Sequence, residues 1–183
     1  LLPFVTEGIR STKNLIPSAT IQSNRSVTGL IDGNFDVGGD INVEMIPEGL
    51  ELIYKHGLGT NIVTSGSGPY THIIKASNLP VSLTVEKGFN DIQEYLRYTG
   101  VRINTLNWTF PQEGIPTLTI SVIGATETNF TSPLSAVPIA PTKQQFEMRY
   151  GKIYEAGVQV AFITSGNIQL TNNLSTAQFV VGT

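Results

Sequence analysis

The sequence contains no cysteine, which removes disulfide staples, zinc thiolate centres and cysteine nucleophiles at once. Charge is scarce as well: 14% of the 183 residues are Asp, Glu, Lys or Arg, and the formal net charge is −3. Proteins that grip DNA or anionic membranes carry a basic surplus, and none exists here. No apolar run approaches the ~18 residues that a membrane helix needs. The opening LLPFVTEGI is too short, and lacks the basic lead, for a signal peptide. No methionine starts the chain, so the numbering is expected to begin inside the gene product. Imidazole is limited to His56 and His72.

Such a chain can still bury a core. At this size one domain, or one domain and the start of another, is expected, and roughly 70% of the unfolded surface can be covered. Gly, Thr, Ser and Asn are plentiful while strong helix formers are thin, which argues for a mainly β protein.

The most informative stretch is GVRINTLNWTFPQEGIPTLTISVIG, residues 100–124. It reads as two long strands joined by a Pro/Gly turn. In the first arm Leu106, Trp108 and Phe110 share one side, and Thr105, Asn107 and Thr109 the other. In the second, Leu118, Ile120 and Val122 oppose Thr117, Thr119 and Ser121. Period-two alternation marks a sheet with one buried face and one wet face. The first set is the predicted core. The second is an uncharged hydroxyl and amide surface.

Elsewhere the pattern is coarser. Residues 1–28 read as extended and irregular, interrupted by Pro3 and Pro17. A strand is expected over Gly33–Met45, with Phe35, Val37, Ile41 and Val43 on one parity and Asp36, Asp40, Asn42 and Glu44 on the other. Gly38 and Gly39 suggest a bulge or bend. Pro47–His56 is the best helix, stopped by Gly57. Asn61–Pro69 reads as a flexible loop. Strands are expected at Tyr70–Ala76 and Val81–Glu86, and a second short helix at Asn90–Thr99, with Asn90 as N-cap, Gln93 in capping-box position and Gly100 as its end. Ala125–Lys143 carries three prolines and no period, as a linker or an arm would. Strands resume at Gln144–Tyr150, Val158–Ile163, Asn167–Thr171 and Gln178–Val181. Gly39–Val43 faintly echoes Gly166–Leu170.

Chemistry is sparse. Asp32-Gly-Asn34-Phe-Asp36 starts like a calcium loop, but Val37 and Val43 occupy the places of its Gly and Glu, so the ligand set fails. Neither histidine stands in a triad or HExxH spacing, and His56 suits a helix C-terminus. Gly57-Leu-Gly59 and Gly66-Ser-Gly68 lack the following helix of a phosphate loop. The sequons at Asn24, Asn107, Asn129 and Asn173 are about as many as chance supplies in a chain this rich in Ser and Thr. Trp108 is read as core rather than as a stacking platform. No catalytic residue, metal site or cofactor is expected.

One order of elements is distinctive: GNFDVGGDINVEM, a short helix ending HGLG, PVSLTVEKG, YTGVRINTLNWTF, then LTISVIGATET, with ITSGNIQLTNNLSTAQFVVG at the end. This resembles the phage tail tube (major tail) proteins of long, non-contractile siphophage tails, from Val27 onward. The resemblance implies a tail-tube-like β-sandwich or partial barrel of two packed sheets with one or two short flanking helices. It divides the chain into an N-terminal arm (1–26), a tube domain (27–124), a Pro-rich arm (125–143) and further strands or the start of a second half (144–183). Members of the family with two tube-like halves are longer than 183 residues. The implied role is structural: hexameric rings, stacked into the conduit for DNA delivery in the virion tail, made in the bacterial host cytoplasm. Tape-measure and tail-terminator proteins would be partners, with DNA only as passing cargo and no membrane involved. Asp36, Asp40 and Glu44, with Thr105, Asn107, Thr109, Thr117, Thr119 and Ser121, would then face the lumen. A secreted or surface β-sandwich binding module, adhesin-like, is the rival reading; a β-rich hydrolase is weaker, because no nucleophile–base pair can be assembled.

Overall fold

The computed structural model describes residues 1–18, 29–59, 63–67, 70–77, 81–160 and 164–175. Its strands, in chain order, are β1 (Thr6–Glu7), β2 (Arg10–Pro17), β3 (Leu30–Glu44), β4 (Val63–Ser65), β5 (Thr71–Ile73), β6 (Leu83–Phe89), β7 (Glu94–Phe110), β8 (Thr117–Gly124), β9 (Thr126–Phe130), β10 (Tyr154–Glu155), β11 (Val158–Gln159) and β12 (Gly166–Thr171). Among the described residues one α-helix, α1 (Leu50–Leu58), stands between β3 and β4.

Eight strands form one antiparallel sheet with the order β1-β3-β8-β7-β12; β2 also pairs with β3, and β6 and β9 pair with β7. β4-β5 and β10-β11 are separate small hairpins. The protein is thus mainly β, with an open sheet rather than a closed barrel among the described residues.

The 17-residue β7 organises this sheet. Its first half pairs with β6 and β9, its second with β8 and β12. The changeover lies near Gly100, whose φ of +64° a side chain would oppose. Thr99 and Gly100 stand opposite Thr84 alone, a bulge that bends the strand. A second register shift, at Asn104, keeps Ile103 and Leu106 on the same face despite their odd spacing.

That face is the core. Val37, Val43, Tyr98, Val101, Ile103, Leu106, Leu118, Ile120 and Val122 are all at most 4% exposed. Leu50 and Ile53 of α1 pack into the same cluster, and Phe35, Trp108, Phe110 and Leu170 cover it from the edges. Trp108 Nε1–H donates to the Tyr54 hydroxyl at 3.2 Å, tying helix to sheet. Burial raises the Tyr54 phenol above its ordinary pKa, and the Trp108 bond pulls the other way.

Several local expectations are corrected. α1 runs through Gly57 and ends at Gly59, which takes the left-handed C-cap. Gly57 is needed for closeness: a Cβ there would stand 2.6 Å from Leu106 Cδ1. Asn90–Thr99 is a turn followed by strand, because pairing with two neighbours outweighs its helix-like capping residues. Gln93 Nε2 does bond back to the Asn90 carbonyl at 2.7 Å, but within a turn. β2 occupies eight residues of the supposedly irregular N-terminal segment. Gly38 and Gly39 keep continuous register with β8, so no bulge forms there. Gly39 instead admits the crossing N-terminal segment, since a Cβ there would collide with the Gly8 carbonyl oxygen. Residues 144–150 form no strand; Met148–Tyr150 is a single 3₁₀ turn. The supposed loop Asn61–Pro69 contains β4. The strand placed at Gln178–Val181 and the end of that placed at Val158–Ile163 lie outside the described residues, as does the Asn24 sequon.

Candidate functional site

On the side of the sheet opposite α1, four strands set polar side chains into register. Asp40, Ser121, Thr105 and Thr171 stand in one row across β3, β8, β7 and β12. Asn42, Thr119, Asn107 and Gln169 form the next, and Glu44, Thr117, Thr109 and Asn167 the third. This follows from period-two strands whose alternate members are apolar: once Ile41, Val43, Leu118, Ile120, Leu106 and Trp108 turn to the core, their neighbours must turn away.

Asp40, Thr109 and the three β12 members are exposed, and the remaining members are partly accessible. Ten of the twelve side chains are neutral hydroxyls or amides and two are acids. The row beyond holds Gly38, Ile123 and the exposed Arg102, which puts a cation at the end of the surface rather than in its middle. The centre is the tightest part. Asn42 Oδ1 and Asn107 Oδ1, on either side of Thr119, are shielded and have no hydrogen-bond partner among the described residues.

Each residue singled out from the sequence can be placed on this frame. Asp40, Glu44, Thr105, Asn107, Thr109, Thr117, Thr119 and Ser121 all belong to the rows. Glu44 additionally accepts Gln145 Nε2–H at 3.1 Å. Asp36 lies on the same side of β3 but beyond the end of β8, opposite Thr12 of β2. Leu118, Ile120 and Val122 are buried, while Trp108 and Phe110 are half-buried at the cluster's margin. Sequence reasoning missed Asn167, Gln169 and Thr171. Their alternation with Ile168 and Leu170 is visible in GNIQLT, but nothing local shows that this strand pairs with β7. Asn172 fastens its end, with Nδ2–H groups donating to the carbonyls of Gly57 and Ile103, both at 2.9 Å.

No group of three or more metal-ligating side chains exists among the described residues. His56 Nδ1 bonds the Val81 carbonyl at 2.9 Å and His72 Nδ1 the Thr64 hydroxyl at 3.0 Å, each an exposed contact away from the rows. Among the described residues no helix is long and apolar enough to cross a membrane.

Two edges flank the surface. β12 has no strand on its outer side among the described residues, whereas the outer side of β3 is covered by β1 at Asn42 and Ile41 and by β2 from Gly38 to Leu30. An open antiparallel edge is a template for pairing with another chain.

No curated protein matches the chain. A family model described as phage tail tube protein matches residues 3–183. A wide polar sheet face and an open edge at β12 suit a tube subunit, and the chain belongs to the phage tail tube protein family, a structural, non-enzymatic component of the virion tail.

Proposed function

We propose that this subunit closes into hexameric rings that stack into a hollow tube, with the three polar rows turned to the bore. The register of those rows carries the reading. Four strands from distant parts of the chain present neutral hydrogen-bonding groups on one side, where a free surface would normally mix both signs of charge. Tape-measure protein and then DNA would pass over a lining with little to hold them. Phosphates are gripped chiefly by Lys and Arg, and the rows contain neither. Asp40 and Glu44, with Asp36 beyond them, repel a polyanion at close range, though salt limits this to about 8 Å. Ring closure would use the β12 edge of one copy against the β1–β3 side of the next, a head-to-tail contact that a closed ring satisfies.

The test is charge reversal. Phage carrying Asp36→Lys, Asp40→Lys and Glu44→Lys together should assemble tails of normal length, because all three carboxylates reach solvent, yet deliver DNA poorly. Unchanged infectivity with normal tails would remove the bore assignment.

A further inference from the structure

β12 completes the polar rows and carries the open edge, yet its own side chains hold it weakly. Of its residues only Leu170 packs against the core cluster, and Ile168 is 59% exposed. The bond from Asn167 Nδ2–H to the Thr109 hydroxyl is stretched to 3.5 Å. An edge strand with so little apolar contact is poorly specified in register. A slip of one residue would exchange Asn167, Gln169 and Thr171 with Ile168 and Leu170, and so put apolar side chains on the polar surface. A slip of two would keep the faces but move Leu170 from Leu106 to Trp108 or Asn104.

The bonds that choose one register lie just past the strand. Asn104, where β7 shifts register against β8, receives two of them. Its carbonyl accepts the Asn172 N–H at 2.8 Å, and its Oδ1 accepts the Leu174 N–H at 2.8 Å. Asn172 Nδ2 reaches the other way, to the carbonyls of Ile103 and Gly57. Gly57 belongs to the last turn of α1, whose carbonyls find no partner within the helix. Between the two contacts Asn173 takes a left-handed φ of +52°, which asparagine tolerates better than most residues. The fit is specific to this register. Asn173 in the place of Asn172 would force Leu174 into the left-handed turn, and Thr171 there would offer no amide. Leu170 and Leu174, two places away, carry no polar group at all.

We infer that Asn104 and Asn172 are positioning residues that lock the register of β12, and through it the edge that a tube subunit offers for assembly. The consequence for assembly rests on the function proposed above. The lock itself acts within one chain and is measured on the monomer.

Because the chain lacks cysteine, engineered disulfides report register. Gln169→Cys with Asn107→Cys joins positions that stand opposite each other. Gln169→Cys with Thr105→Cys or Thr109→Cys joins positions that meet only after a two-residue slip. In dilute monomer, adding Asn172→Ala should lower the rate of in-register oxidation relative to the slipped pairs by about tenfold, the weight of one to two hydrogen bonds. Asn104→Ala should act in the same direction, whereas Asn104→Asp, which keeps an acceptor for the Leu174 N–H, should restore the parent ratio. Hydrogen exchange at the buried Leu106 and Leu118 amides should stay at the parent level throughout. Without the added cysteines, Asn172→Ala should also lose tube yield. A parent ratio in both alanine variants would overturn the lock and leave assembly untouched. Core protection that falls as far as protection in β12 would show a general structural role and overturn it too. Tubes at full yield from a chain whose register is lost would overturn the dependence of the edge on the lock. A wild-type chain that forms no tubes, while its alanine variants still lose register, would uphold the lock and sink the assembly reading alone.

Discussion

The spacing between α1 and the sheet depends on one absent methyl group, and it predicts a change of sign. Gly57 lies inside α1, a position where alanine is ordinarily better by about 1 kcal/mol. Yet a Cβ at 57 would sit 2.6 Å from Leu106 Cδ1, and Leu106 is fully buried and cannot swing into solvent. Overpacking of that kind costs about 1–3 kcal/mol. Gly57→Ala should therefore destabilise the native chain by about 0–2 kcal/mol, the clash less the helix gain. Leu106→Ala alone should cost about 2–5 kcal/mol as a cavity substitution. It also removes the atom in the way. In that background Gly57→Ala should become stabilising by up to about 1 kcal/mol, a coupling of about 1–3 kcal/mol between the two positions. Urea unfolding of the four proteins, below the concentration at which they assemble, measures the cycle. Additive effects, with Gly57→Ala equally harmful in both backgrounds, would refute the claim that Leu106 sets the approach of helix to sheet.

Two titrations follow from the same packing. The Tyr98 phenol is held far above its ordinary pKa, first by burial and then by hydrogen bonding to, and the charge of, Glu127. The unfolded chain would lose this proton near pH 10 while the folded chain keeps it, so stability should fall as pH rises above about 10. Ultraviolet titration should show Tyr98 ionising only on unfolding, and Tyr98→Phe should lessen the alkaline loss; a Tyr98 that titrates normally in the folded chain would contradict this. The Glu48 carboxyl lies below its ordinary range, chiefly through the Thr142 backbone N–H, then its hydroxyl. A depressed carboxylate stabilises above its unfolded pKa, about 4.3, and the benefit fades as pH falls through the lower folded value. Hydrogen-exchange protection at the Thr142 amide should thus drop in acid, and Glu48→Ala should abolish it at neutral pH. Protection indifferent to both would show that this amide is held by something else.

What could be read in the sequence was what is local. The alternation of residues 105–110 and 117–122 needs only a two-stranded ribbon to express it, and both strands stand where the pattern puts them. The Pro/Gly turn between them is equally local. Glu94–Thr99 failed for the converse reason: Asn90 and Gln93 imitate a helix start, while β6 and β9, distant in sequence, supply the pairing that makes the segment a strand. Gly57 reads as a helix stop unless Leu106 is known to lie beneath it. The polar rows are legible on three of their four strands. Parity alone places nine members, Asn42 among them, but the fourth strand, with Asn167, Gln169 and Thr171, arrives through a long-range pairing that no local signal encodes. Asp36 shows the limit of parity from the other side: it points the right way, yet β8 has ended before reaching it.

The most direct measurement is a helical reconstruction of assembled tubes by electron cryomicroscopy. A sixfold tube is expected, in which Ser121, Thr119 and Asn107 border the bore and α1 lies outside the sheet. A tube with α1 lining the bore and those three side chains on the outer wall would contradict the proposed orientation of the subunit.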